Sequence, residues 1–240
     1  SKKNTVSPED IIDSFGADTA RWYMLSDSPP ERDVEWTDDG AAGAHRFIQR
    51  VWRLVTEIAP AITGVRAEPA YEGEAAAISK AAHKTLKTVS EDIESLAFNR
   101  AIAHIHAFAN VLHGQATSSG ASASEDVRGA LRESVEILIQ IIGPFMPHLA
   151  EECWAQIGGE GLVSAAPWPE FDTRLVVDDE VVLPVQINGK KRGDLTIARD
   201  ADQATIEQAV LGLDFVKNAL NGASPRKIIV VPHRIVNVVA

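Results

Sequence analysis

The chain has 240 residues, 23 Lys+Arg against 34 Asp+Glu, a formal charge of −11, 45% hydrophobic residues and one Cys. That length accommodates one large domain or two smaller ones, and the apolar fraction excludes wholesale disorder. A single cysteine excludes an intrachain disulfide and a cysteine-based zinc site and suits a reducing, cytoplasmic compartment, and no apolar run approaches the ~18 residues of a membrane span.

The sequence opens without a methionine or a signal-peptide pattern, which reads as an excised or processed chain. The acidic total argues against nucleic-acid binding. It hides a split, however. Residues 181–240 hold eight basic against five acidic side chains, and residues 1–180 hold 15 against 29. An asymmetry of this kind points to two modules with different partners.

In chain order, 8–25 reads as a helix, with Pro8 at its first position, Glu9 and Asp10 favouring the positive end of the dipole, and Gly16 a weak point. Pro29-Pro30 marks a loop. Thr37 is the N-cap of the next helix, whose apolar positions run from Ala44 through Phe47, Val51, Leu54 and Val55 to Ile58, with Pro60 closing it. Arg46, Arg50 and Arg53 fall at i, i+4 and i+7, a stripe about 120° from the centre of that apolar face. Helical spacing returns from Ala75 to Leu112, with a break placed near Ser95–Asn99. Gly114–Ser124 reads as a low-complexity loop. Ala130–Ile142 is an apolar helix, Pro147 opens another to about Ile157, and the glycines at 158, 159 and 161 with Pro167-Trp168-Pro169 mark a linker.

After residue 180 the periodicity becomes strand-like. Val181–Ile187 and Arg192–Ala198 flank Asn188-Gly189, the pair preferred in a tight type I′ hairpin. A helical region over 202–220, broken at Gly212, precedes two further strands at Lys227–Val231 and Ile235–Val239. The fold class is therefore mainly α: a helical bundle followed by a small α+β domain. The boundaries read as 1–36 for a connecting region, 37–160 for the bundle, 161–180 for the linker and 181–240 for the small domain.

The arginine stripe is the first candidate site, because guanidinium forks suit the paired oxygens of phosphates. Its bland alternative is a solvated face that pairs with Glu57 or with acidic residues of neighbouring helices. The second candidate is the hairpin tip Lys190, Lys191 and Arg192, with Arg226, Lys227 and Arg234 near later strands, which could follow a nucleic-acid backbone or simply be a solubilising turn. His104 and His106, two apart on a helix, point to different faces and do not share a metal. His83 and His113 have no clear carboxylate partners, and His148 reads as structural. Cys153 reads as packed rather than nucleophilic. Asp38-Asp39 and Glu151-Glu152 sit near helix starts, and Glu91-Asp92 with Glu94 reads as a solvated face. No catalytic constellation and no metal site stand out.

Several segments in order resemble a known family. Ser1 to Val6 followed by Pro8 is similar to the tail of the KMSKS signature loop of class I aminoacyl-tRNA synthetases. Gly16-Ala17-Asp18-Thr19-Ala20-Arg21, Pro29-Pro30, Glu35-Trp36, Gly43-Ala44-His45-Arg46-Phe47 and Arg50-Val51-Trp52-Arg53-Leu54 resemble the leucyl-tRNA synthetase version. Phe98-Asn99, the run from Pro144 to His148, Glu151, Glu152, Trp154 and Pro167-Trp168-Pro169 continue the likeness. The runs from Val185 to Lys190 and from Val231 to Asn237 resemble the C-terminal module of the bacterial enzymes.

The resemblance implies a helical anticodon-binding-type bundle and a small tRNA-binding domain from the C-terminal part of such an enzyme. The catalytic and editing domains would lie upstream, as further partners in the same chain. Leucine activation with ATP and magnesium, and transfer to tRNA, would belong to the parent, and the 240 residues alone would be inactive and bind no cofactor. Only Ser1 would remain of the ATP-binding signature. Leucine tRNA would be the partner, held by its body, corner and long variable arm through Arg46, Arg50, Arg53 and the six basic residues of the small domain. The chain is expected to be monomeric, with no membrane partner. The alternatives are an acidic helical protein-docking module, and the equivalent region of a valyl-, isoleucyl- or methionyl-type synthetase.

Overall fold

Gly16 divides the first predicted helix in two. With φ at +86° it leaves helical geometry, so α1 spans Pro8–Phe15 and α2 spans Ala17–Ser26. The computed structural model describes residues 7–67, 71–119, 123–177 and 180–240. Ser1, Lys2 and Lys3, and the Asp178-Asp179 pair, lie outside the described residues. The chain forms two compact units that divide between Val176 and Val177.

In the first unit α3 spans Asp38–Ile62, and its Thr37 cap forms as predicted: the Gly40 N–H donates to Thr37 Oγ1 at 3.2 Å. Pro60 does not end α3. It removes one hydrogen bond in the last turn, and the fully buried Ile62 keeps that turn on the core. Helices α4 (Gly73–Glu94) and α5 (Phe98–Ser119) meet at a Schellman-type end, where Leu96 takes φ +57° and the Ala97 N–H reaches Asp92 O at 2.7 Å.

The loop expected from Gly114 is instead the end of α5 as far as Ser119. Ala116 packs on the core, and Thr117 and Ser118 hydroxyls bond back to His113 O and Gln115 O. Helix α6 (Glu125–Ile142) starts five residues before the predicted Ala130, because Ser124 caps it through the Val127 N–H. Helix α7 (Pro147–Gln156) lacks a capping side chain at Met146. Asp18 of α2 supplies one: buried, its Oδ2 accepts the Leu149 N–H at 2.8 Å, and its Oδ1 accepts from Arg21.

The stretch after α7 lies along the bundle. Glu151 accepts the Val163 and Ser164 N–H groups at the head of a 3-10 turn, Val163–Ala165. Trp168 Nε1 donates to Ser90 Oγ, the Asp172 N–H donates to His83 Nδ1, and Leu175 is buried. Among the described residues no helix is long and apolar enough to cross a membrane.

The second unit is a four-stranded mixed sheet in the order β2-β1-β4-β3. Strands β1 (Glu180–Ile187) and β2 (Lys190–Ala198) form the hairpin across Asn188 and Gly189, both at positive φ as a type I′ turn requires. Strands β3 (Lys227–Val231) and β4 (Ile235–Val239) are antiparallel, and β4 runs parallel to β1. Helices α8 (Gln203–Gly212) and α9 (Asp214–Leu220) cover one face, sealing Leu183, Val185, Leu195, Val236 and Val238 with Ile206, Val210 and Val216. A Cβ at Gly193 would come within 2.6 Å of the Phe215 ring, so this position has to be glycine for α9 to reach the sheet.

Two stability outcomes are expected. Asp18→Ala leaves the α7 N-terminus uncapped and should cost about 1–3 kcal/mol of the first unit's unfolding free energy in urea. Gly193→Ala should lower the second unit's melting transition by about 1–3 kcal/mol in stability while leaving the first unit's transition in place.

Candidate nucleic-acid interface

Helix α3 positions the arginine stripe. Its inner residues Phe47, Val51, Leu54 and Val55 are buried, which fixes the rotation of the helix and turns Arg46, Arg50 and Arg53 outward. All three are exposed and span about 10 Å of helix axis. Among the described residues, Arg46 and Arg53 have no hydrogen bond to another side chain, and none of the three forms an ion pair. The alternative reading, pairing with Glu57 or with acids of neighbouring helices, is not met among the described residues. Arg50 lies over Phe47, its Cζ 5.1 Å from the ring centroid, with Nη2 3.4 Å from His106 Nδ1.

Behind the stripe stands an aromatic platform. Trp22, nearly fully buried, stacks on Phe47 at 4.9 Å, meets Phe145 edge-on at 5.8 Å and donates Nε1–H to His106 Nε2 at 3.3 Å. The His106 ring lies 3.8 Å from Phe47. Burial first, and the Arg50 charge second, push the His106 pKa from 6.5 down to about 4, so the ring is neutral at physiological pH. The sequence reading missed His106 as a functional residue. The available signal was its position one residue after buried Ile105, at the inner edge of α5.

In the second unit the structure brings five of the six predicted residues to one end of the sheet. Lys190, Lys191 and Arg192 begin β2, Lys227 begins β3 with Arg226 just before it, and the register places both starts at the same end. They span about 14 Å across four strands. Arg192 is the extra residue where the β1–β2 register shifts, and Lys191 is partly neutralised by Asp194 at 2.8 Å. Arg234 lies in the turn just before β4 and stands at the opposite end, because β3 and β4 are antiparallel.

Three other sequence readings are corrected. Asp92 is not on a solvated face. It is buried and pairs with Arg100 at 2.5 Å and His104 at 3.6 Å. His83 does have a carboxylate partner: Glu133 Oε1 at 3.1 Å, with Tyr71 OH and Ser79 Oγ also donating to Glu133. Burial alone would raise the Glu133 pKa, and these hydrogen bonds outweigh it and hold it below its ordinary value, while burial and Glu133 push Tyr71 up to about 12. His83 Nδ1 accepts the Asp172 N–H, so its Nε2 carries the proton donated to Glu133. Glu151 serves the 3-10 turn rather than the start of its own helix. Cys153 is buried, as read from the sequence, and burial raises its thiol to about 12. No group of three or more potential metal ligands occurs among the described residues.

A family model described as the anticodon-binding domain of tRNA ligase matches residues 75–208. The chain is similar to leucine–tRNA ligase of Chelativorans sp. (strain BNC1), 71% identical over 240 residues, and to that of Mesorhizobium japonicum, 65% identical over 241. Each match covers all of this chain and 27% or 28% of the relative, so the chain spans about a quarter of their length. Among solved structures it is similar to the LeuRS of Agrobacterium radiobacter K84 in a ternary complex with tRNA and LeuAMS. The TM-score is 0.81 at 32% identity, over 98% of this chain and 30% of that one. A Mycobacterium tuberculosis methionyl-tRNA synthetase shares the fold alone, with a TM-score of 0.50 at 18% identity over 70% of this chain and 41% of that one. The protein-docking alternative finds no support in these matches.

The depressed His106 pKa sets a pH dependence. The unfolded chain takes up a proton below about 6.5 and the folded ring resists until about 4, so stability should fall as pH drops through that window. Urea midpoints measured from pH 7 to 4 should show a shallower decline in His106→Leu than in the parent chain.

Proposed function

Because the chain belongs to the leucyl-tRNA synthetase family, we propose that it grips the body of leucine tRNA and positions it for an enzyme that charges that tRNA. Leucine activation with ATP and magnesium, and transfer to the terminal ribose, are the chemistry of the whole enzyme. The role of this region is to hold the tRNA corner and long variable arm so that the acceptor end reaches the catalytic and editing sites. Phosphate and shape contacts suit that task better than base readout.

The observation that carries this reading is the stripe Arg46, Arg50 and Arg53: three exposed guanidiniums that have no carboxylate partner among the described residues, on a unit that is otherwise strongly acidic. Unpaired cations on a rigid helix are available to a polyanion without first breaking an ion pair. The basic sheet end of the second unit, Lys190, Lys191, Arg192, Arg226 and Lys227, is the second contact, and Arg234 stands at the opposite end of the sheet. We assign 1–36, 37–160, 161–180 and 181–240 to a connecting region, bundle, linker and tRNA-binding tail. We further assign the protein to the cytoplasm as a monomer, with the ATP-binding signature to which Ser1 belongs and the editing domain upstream.

In the full-length enzyme, Arg46→Ala, Arg50→Ala and Arg53→Ala should each weaken tRNA binding about tenfold, about 1.4 kcal/mol, and leave leucine-dependent ATP–pyrophosphate exchange intact. Unchanged tRNA affinity in all three would overturn the assignment. The double variant Lys190→Ala/Lys191→Ala should flatten the slope of log affinity against log salt by about one to two.

A further inference from the structure

His106 faces two donors with a ring that can accept from only one of them. A neutral imidazole has one N–H and one free lone pair. Trp22 Nε1–H points at His106 Nε2 from 3.3 Å, and Arg50 Nη2 stands 3.4 Å from His106 Nδ1. The two claims are unequal. Trp22 is 1% exposed, so its N–H would go unsatisfied without His106, whereas Arg50 is exposed and can turn to water. The lone pair therefore sits on Nε2 and the proton on Nδ1. That leaves the His106 Nδ1–H beside the Arg50 guanidinium, two donors with no acceptor between them. An oxygen about 2.9 Å from each would satisfy both at once. Phe47 fixes the geometry from below, with Arg50 over its face and the His106 ring tilted against it at 3.8 Å between centroids.

From this geometry we propose that Arg50 and His106 form a seat for one phosphodiester oxygen of the bound RNA, with Trp22 as the positioning residue that fixes the His106 tautomer. The seat rests on the reading of α3 as an RNA-contacting helix and adds a neutral donor to its cations. The pairing of one cation with one neutral donor matches a singly charged phosphodiester rather than a free dianion.

The test uses the 15N-labelled 240-residue chain and a leucine tRNA transcript. Nitrogen-detected spectra of the His106 ring should show Nδ1 protonated and Nε2 bare. Trp22→Phe removes the buried donor, so Nδ1 is free to accept from Arg50. Nε2 should then carry the proton, and tRNA affinity should fall about threefold to tenfold although residue 22 is buried. That loss should vanish in an Arg50→Ala background. His106→Leu should lose the same affinity, and His106→Gln, which keeps an acceptor for Trp22 and a donor for the phosphate, should restore it. These two variants carry the test should Trp22→Phe fail to fold.

Protonation on Nε2 in the parent chain would overturn the seat, as would unchanged affinity in His106→Leu. Inorganic phosphate alone should shift the Nδ1 signal without saturating it where tRNA does, and tighter binding of free phosphate would overturn the assignment to RNA. Loss of affinity in Arg46→Ala and Arg53→Ala with none in the Trp22 and His106 variants would sink the seat alone. Absence of tRNA binding by the parent chain would sink both readings.

Discussion

The stack of Trp22 on Phe47 holds the first unit in register. It joins α2 to α3, reaches α5 through His106 and touches Phe145 at the corner between α6 and α7. Aromatic pairs of this kind contribute about 0.5–1.5 kcal/mol beyond their burial, and each buried large side chain contributes about 1.5–3 kcal/mol. The stack also decides the phase of α3. Rotating that helix by one residue, about 100°, would lift Phe47 out of the core and drive a guanidinium toward it. The arginines are therefore presented on a rigid element rather than on mobile chain, and the ordering entropy of the helix is spent before any ligand arrives.

Polar anchors complement this apolar one. Asp18 caps α7 from a helix that lies 131 positions earlier in the chain, and the same carboxylate organises Arg21. Glu133 gathers Tyr71, Ser79 and His83, and His83 then binds the backbone of Asp172. Each carboxylate satisfies several donors at once, which is the condition under which a buried charge is tolerated. Both networks tie the ends of segments to the bundle. The Gly-Ala-Asp-Thr run is thus a structural device at Asp18, and the charges free to meet a polyanion are on other faces.

A net charge of −11 misrepresents such a molecule. Screening over about 8 Å at physiological salt makes the local arrangement of charge decisive, not the total. Carboxylates such as Asp18, Asp92, Glu133 and Glu151 are engaged by hydrogen bonds or ion pairs within the fold. Among the described residues, the stripe on α3 has no carboxylate partner. The bundle's acid total is therefore no bar to the RNA contact proposed for α3.

Local signals sufficed wherever the stabilising partner is close in sequence. Thr37 before its helix, Asn188-Gly189 between strands and the arginines at i, i+4 and i+7 were legible because capping, turn geometry and helical period act within a few residues. The sequence also carried the ordered runs that place the chain in its family. Where the partner is distant, the tertiary structure decided. Ile62 carried α3 past Pro60, packing kept 114–119 helical, Arg100 and His104 drew Asp92 inward, and sheet topology sent Arg234 away from the other basic residues. His106 is the sharpest case. Its neighbours in sequence are helical residues of no special character, its ring nitrogens face Trp22 and Arg50, 84 and 56 positions away, and burial first and the Arg50 charge second lower its pKa. Sequence determined which faces exist, because periodicity is local. Only folding determined which donors and acceptors meet on them, because that depends on contacts that no short window contains.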